Sequence, residues 1–284
     1  MLKLVLTDLD GTFLNSTGHF DHELFASIKS KLDNKEIAFA TVTGKQAERV
    51  EELFNDEKKD IWILGDSATR IKLNGDYIYE SLLPNEIGKM IIKTLKEHFP
   101  DTAVIAVTKH AANIERDVSE TDKKIIRGSY AVVKPIRNVL DITDDFVKIT
   151  VLDSKKRAFN IIEAIKTYND KAFMVASEDS WIDITNFNVH KGTTVSKLQD
   201  ILNITREETI AFGDGYNDYE MYDQSGISFA MSNAFPEVKE KADWIIKSND
   251  ENAVLTTIEK ILFLLTWMSV KFLLGRKILK KHAW

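Results

Sequence analysis

Two short apolar runs end in aspartate-rich, glycine-containing clusters. Lys3 to Thr7 leads into Asp8-Leu9-Asp10-Gly11-Thr12, and Thr209 to Phe212 leads into Gly213-Asp214-Gly215-Tyr216-Asn217-Asp218. An apolar run of this length, closed by such a cluster, reads as a buried strand running into a loop. The first run is followed by helical spacing, with Leu24, Phe25, Ile28 and Leu32 recurring over His22 to Lys35. Ile37 to Val42 is a second buried strand closed by Thr43-Gly44, Lys45 to Phe54 a helix, and Ile61 to Leu64 a third strand. Strands that alternate with helices require crossover connections and a parallel sheet. The expected class is therefore α/β, with a Rossmann-like parallel-sheet core.

The rhythm then changes. Asn74-Gly75 sits between alternating segments in Thr69 to Leu82, a hairpin signal. From Pro84 to about Ile184 the elements mix differently. Helices are expected over Glu86 to His98 and Arg157 to Tyr168. Strands are expected over Ala103 to Val107, Phe146 to Leu152, Ala172 to Ala176 and Trp181 to Ile184. This stretch reads as an α+β unit inserted into the first. The βαβ rhythm resumes at His190-Lys191-Gly192, with a helix over Thr193 to Leu202. Strands at Ile227 to Met231 and Trp244 to Ile246 follow, then a helix from Asn252 to about Leu265. The expected organisation is a core from 1 to 80, an inserted cap from 81 to 186, the second part of the core from 187 to 265, and an apolar, basic tail from 266 to 284.

Composition narrows the chemistry. The 284 residues are 44% hydrophobic and 29% charged, as in ordinary globular proteins, and a chain of this length buries a core without staples. It has no cysteine, which excludes disulfides, thiolate metal sites and cysteine nucleophiles. The net charge of −6 and the lack of a basic stripe before the tail argue against a nucleic-acid partner. The apolar run before Asp8 is too short for a signal peptide, so a cytoplasmic protein is expected.

Four clusters fall where expected strands end, and open parallel sheets bind ligands at the carboxyl ends of their strands. In the first, Asp8 is a carboxylate able to attack phosphorus directly. Asp10, two residues on, can share its pocket and shuttle a proton. Gly11 permits close backbone approach to a phosphate. A calcium loop counted from Asp8 would put Thr12 fifth and His19 twelfth, and the twelfth position needs an acid. Thr43-Gly44 offers a hydroxyl and free amides at a helix start, an anion site if it is more than a turn. Lys191, opening a helix, would neutralise a phosphate; the alternative is a surface lysine. Asp214 can complete an oxygen-rich magnesium site with Asp8 and Asp10. Two acidic turns side by side are costly unless a cation compensates them.

In order and spacing these clusters resemble the four motifs of the haloacid dehalogenase-like hydrolases. The long insert is similar to the larger α/β cap of the Cof-type subfamily. The resemblance covers roughly residues 1 to 262. It implies a mobile cap and Mg2+-dependent hydrolysis of small phosphorylated metabolites, such as sugar or cofactor phosphates, through an aspartyl phosphate. It makes Asp8 the nucleophile and a metal ligand. Asp10 becomes the acid/base and a ligand through its backbone carbonyl. Leu9 (by its backbone), Thr43, Gly44, Lys191 and Asn217 hold phosphate, Asp214 binds metal, and Asp218 supports the metal from behind its ligands. A phosphomutase on the same scaffold and a non-catalytic regulatory binding module are the alternatives.

Two positions depart from the family. Gly65-Asp66-Ser67-Ala68 stands where Asn-Gly-Ala is common, so Asp66 is an acid placed to alter substrate tolerance. Lys45 stands where Arg is common. Candidate cap residues for reading the leaving group are Lys109, His110, Asn113, Arg116, Glu178 and Asp179, with an ordinary solvated side chain as the more usual reading of each. The tail, apolar from Ile261 to Leu274 and then basic, is too short to span a membrane. It is read as a last helix packed on the core with a frayed basic end, or as a weak contact with a membrane surface or a second copy.

Overall fold

The structure is a computed structural model that describes residues 1–281, with side chains described for 1–176 and 179–267. Five strands come first: β1 (Leu4–Thr7), β2 (Ala38–Val42), β3 (Ile61–Gly65), β4 (Arg70–Leu73) and β5 (Asp76–Glu80). Six follow in a second sheet: β6 (Ala103–Val107), β7 (Ala112–Glu115), β8 (Val133–Ile136), β9 (Lys148–Leu152), β10 (Ala172–Glu178) and β11 (Trp181–Asn186). The chain then returns to the first sheet with β12 (Thr209–Gly213), β13 (Ile227–Met231) and β14 (Trp244–Ile246). The helices are α1 (His22–Asp33), α2 (Ala47–Phe54), α3 (Asn85–His98), α4 (Glu120–Ser129), α5 (Ala158–Ile165), α6 (Lys191–Leu202), α7 (Tyr219–Asp223), α8 (Pro236–Lys241) and α9 (Ala253–Lys281).

The first sheet has the order β14-β13-β12-β1-β2-β3-β4-β5, parallel except for the hairpin β4–β5 and its pairing to β3. The chain leaves β1 for β2 on one side and comes back to β12 on the other. The strand order therefore switches at β1, and a crevice opens at the carboxyl ends of β1 and β12. The second sheet, β10-β11-β9-β6-β7-β8, is antiparallel except for β7–β8. The expected class, a Rossmann-like core with an α+β insertion, is the one observed.

Five phenylalanines explain how the first loop is held. Phe13, Phe20, Phe25, Phe39 and Phe54 pack with ring centroids 4.9–5.8 Å apart. Phe13 closes the turn that begins at Asp8, so this cluster anchors the loop from beneath.

The elements from Ala112 to Ile136 were not foreseen. β8 contains Pro135, which a central strand would reject, but β8 is the sheet edge. α4 is capped by Ser119, whose hydroxyl accepts from the Asp122 amide at 3.0 Å. That cap signal is present in the sequence and marks the helix start. The last helix runs to Lys281 rather than ending near Leu265, because no proline interrupts residues that are mostly good helix formers. Val254, Leu255, Ile258 and Leu262 bury one side of it against the core, while Phe263 is exposed. The contact expected of the tail falls mostly on residues 268–284, outside the side chains described. Among the described residues no helix is long and apolar enough to cross a membrane.

Phe25 is fully buried at the centre of the ring cluster. Phe25→Ala is expected to cost about 3–5 kcal/mol, measured by urea unfolding. A cost below about 1 kcal/mol would show that the cluster can collapse around the gap.

Candidate active site

β1 delivers Asp8 to the crevice. Its amide donates to the Phe212 carbonyl at 2.9 Å, extending the β1–β12 ladder to the last residue before the turn. The chain then winds through a wide turn, Leu9–Phe13, with Gly11 at φ +74°. A Cβ at Gly11 would lie 2.3 Å from Asp214 Oδ2, so only glycine lets the two acidic loops meet. Thr12 Oγ1 donates to Asp214 Oδ1 at 2.6 Å and fixes that meeting.

Lys191 opens α6 and is 3% exposed. Its Nζ donates to Asp8 Oδ1 and to Asp218 Oδ1, both at 2.6 Å. The other oxygen of Asp218 accepts from the Asp214 and Gly215 amides, each at 3.0 Å. Asp218 therefore folds its own loop and orients Lys191. Two glycines make room for this: a Cβ at Gly213 would meet Asp218 Cγ at 2.5 Å, and one at Gly192 would meet the Glu220 carbonyl at 2.5 Å.

Asp8, Asp214 and Asp218 each place one carboxylate oxygen within 4.8 Å of the others. Burial, the largest influence, pushes the Asp8 carboxyl well above its ordinary pKa, and Asp218 and Asp214 add to this while Lys191 opposes it. Burial and then the Asp218 charge push Asp214 up to about 7. Burial disfavours the Lys191 charge, but Asp218 and Asp8 more than offset it and hold the ammonium above its usual range. One ammonium thus faces three carboxylates. The donor set is hard oxygen with unbalanced negative charge, which fits a small divalent cation.

The site residues expected from sequence divide in two. Asp8, Asp10, Thr43, Gly44, Asp214 and Asn217 line one cavity of about 550 Å³. Leu9, Lys191 and Asp218 are buried behind its wall. The Asp10 side chain is 55% exposed and reaches Lys45 Nζ at 2.8 Å rather than the carboxylate cluster.

The insertion closes the other side of the cavity with Ile125, Ser129, Tyr130, Lys148, Thr150, Trp181 and Asp183. None of these was singled out from sequence. Of the cap residues that were, Lys109 pairs with Glu80, and His110 and Asn113 line a separate cavity. Arg116 and the exposed Asp179 do not line the Asp8 cavity, and the Glu178 side chain lies outside those described. Asp66 is also displaced from its expected place. It is fully buried and accepts from Arg70 Nε at 2.9 Å and Nη2 at 2.7 Å, so it meets a guanidinium and not the cavity.

Asp66, Ser67 and Ala68 all have positive φ, at 56°, 59° and 61°. Such a run costs about 1–2 kcal/mol per residue. It is offset by the Arg70 pair and by amides that brace the phosphate-loop candidate: Asp66 donates to the Lys45 carbonyl at 2.8 Å and Ser67 to the Thr43 carbonyl at 3.0 Å.

The family to which this fold belongs is shown by comparison with known proteins. The profile of the haloacid dehalogenase-like hydrolase family matches residues 5–258, and the chain belongs to that family. It is a phosphatase of the family, an enzyme that hydrolyses phosphate monoesters. It is 27% identical over 265 residues to the 5-amino-6-(5-phospho-D-ribitylamino)uracil phosphatase YbjI of Escherichia coli (strain K12), covering 92% of this chain and 96% of that one. It is 28% identical over 288 residues to YwtE of Bacillus subtilis (strain 168), which carries the same activity name, covering 92% and 98%. The crystal structure of SMU.1108c from Streptococcus mutans UA159 superposes with a TM-score of 0.89 at 29% identity, over 92% of this chain and 99% of that one.

The charge imbalance sets a pH-dependent stability. The folded pKa of Asp214, about 7, lies above its ordinary 3.8. Its protonated form therefore favours the fold below 3.8, and this contribution is lost as pH rises through 7. Without divalent cations, Asp214→Asn is expected to melt higher than wild type at pH 8, with the gap narrowing as pH falls toward 4. A gap that does not change with pH in thermal melts would contradict the charge account.

Proposed function

We propose that the chain is a Mg2+-dependent phosphatase that hydrolyses small phosphorylated metabolites through an aspartyl phosphate on Asp8. The observation that carries this reading is the buried Lys191 bonded to Asp8 beside Asp214, at the switch point of the sheet. Asp8, Asp214 and the Asp10 backbone carbonyl are the proposed metal ligands. Bound there, Mg2+ supplies positive charge that screens a phosphate from the Asp8 carboxylate.

The residues then divide the work. A phosphate seated on Thr43, Gly44, Asn217 and the Leu9 amide presents its phosphorus to Asp8. An Asp8 oxygen bonds to phosphorus as the bond to the leaving oxygen breaks. Asp10 gives that oxygen a proton, exchanging Lys45 for the substrate as it does so. Asp10 next takes a proton from water, whose oxygen attacks phosphorus and frees Asp8 and inorganic phosphate. Lys191 stabilises charge on the transferring oxygens throughout, where such catalysis mainly lies. The insertion excludes bulk water and contacts the leaving group.

Two relatives named for a phosphoribitylaminouracil support a phosphorylated polyol attached to a heterocycle as the first substrate to test. Wild type with Mg2+ is expected to release phosphate from 5-amino-6-(5-phospho-D-ribitylamino)uracil or from members of a sugar-phosphate panel. Asp8→Asn should lose about ten thousandfold in kcat, and chelation should abolish turnover. Retained activity in Asp8→Asn would remove the nucleophile assignment. An isomerised ester with no free phosphate would point to a mutase.

A further inference from the structure

A second buried ammonium joins the two sheets. Lys148 lies in β9 of the inserted unit, is 2% exposed, and spends its three protons on three acceptors. It donates to the Gly44 carbonyl at 2.8 Å, to Ser67 Oγ at 2.9 Å and to Asp183 Oδ1 at 2.9 Å. Asp183, in β11, is satisfied in turn: Oδ1 accepts from Thr150 Oγ1 at 2.8 Å, and Oδ2 from Ser67 Oγ at 2.5 Å. Gly44 and Ser67 belong to the core sheet's loops, and Lys148 and Asp183 to the insertion. The packing is close, since a Cβ at Gly44 would stand 3.5 Å from Asp183 Oδ2.

The bond to Gly44 has a consequence inside the site. Among the described residues no peptide bond is cis. In a planar trans peptide, a carbonyl drawn one way sends the following N–H the other way. The Gly44 carbonyl is drawn toward Lys148, and the Lys45 amide accordingly points to Thr43 Oγ1 at 3.2 Å. Rotation of that one peptide plane would swing an acceptor oxygen toward a phosphate that needs donors.

We propose that Lys148 is a positioning residue: with Asp183 and Ser67 it fixes the Gly44–Lys45 peptide, so that seating of the inserted unit sets the phosphate loop in its binding geometry. This rests on the reading of Thr43 and Gly44 as phosphate holders. Lys148 need not touch the phosphate to act. When the unit lifts, Gly44 loses its partner and the peptide is free to turn. Phosphate and seating of the unit therefore favour each other reciprocally.

The test is the double variant Lys148→Met/Asp183→Asn, which removes both charges together and leaves no unpaired buried ion. Its melting temperature is expected to stay near wild type. Its affinity for inorganic phosphate with Mg2+, measured by competitive inhibition and by calorimetry, is expected to fall about tenfold to a hundredfold. A merely structural role would lower the melting temperature and leave the affinity of the folded fraction unchanged, and that result overturns the proposal. In case the double variant does not fold, amide hydrogen exchange on wild type reads the same coupling. Phosphate with Mg2+ should slow exchange both at 43–46 and at 147–150, and slowing confined to 43–46 overturns it. If wild type itself binds no phosphate, the reading of Thr43 and Gly44 as phosphate holders falls and this inference falls with it. If wild type binds and the variant binds equally, only the coupling falls.

Discussion

One buried ammonium organises the carboxyl edge of the core sheet. Lys191 cannot stay charged in that interior alone, and Asp8 and Asp218 cannot stay close without it. The bonds it makes draw the start of α6 to the end of β1, 183 residues away in sequence, and to the loop that follows β12. Asp218 then turns its second oxygen back on its own loop, which holds Asp214 in place. The glycines at 11 and 213 follow from this, since a Cβ there would push on Asp214 or Asp218, while one at Gly192 would push α6 off α7 at the Glu220 carbonyl. The cluster still carries more negative than positive charge, a surplus that fits a divalent cation better than a settled ion pair.

Much of this was legible in the sequence because the signals are local. A strand followed by an acidic, glycine-bearing turn is visible within ten residues, and the alternation of strands with helices gives the parallel sheet. Asp8, Asp214 and Lys191 were found this way, Asn217 came through the family resemblance, and the four do come together. The wall contributed by the insertion was not found. Lys148 and Asp183 meet because β9 and β11 are neighbours, and they reach Gly44 and Ser67 across two sheets. No spacing rule connects those positions. A signal did exist: each is a charge inside an apolar strand, Phe146-Val147-Lys148-Ile149 and Trp181-Ile182-Asp183-Ile184. A buried charge needs a partner, and two of opposite sign in one small sheet are candidates for each other. Surface-accessible residues such as Lys109 and His110 drew notice instead, because polarity in loops is easier to see than polarity in strands.

Asp66 teaches the complementary lesson. As a departure from the family's usual residues it suggested a role in choosing substrates, yet it faces Arg70 away from the cavity. Its contribution is to the shape of a loop whose three residues all lie in the left-handed region. That loop braces Thr43 and Lys45 from one side while Lys148 holds Gly44 from the other. An unusual residue near a site can thus be explained by backbone conformation before chemistry is invoked.

The insertion leaves the core after Ser81 and rejoins it near Asn186, and these two side chains are hydrogen-bonded at 3.2 Å. Exit and return share one doorway. For the core, the hundred-odd intervening residues behave as a loop whose ends already touch, and the entropy of closing a loop grows only slowly with its length. What lies beyond the doorway can therefore be enlarged or trimmed without shifting the register of the core strands, so long as Lys148 and Asp183 keep their bonds to Gly44 and Ser67. A lineage of such enzymes is free to vary its choice of leaving group while leaving its reaction machinery alone.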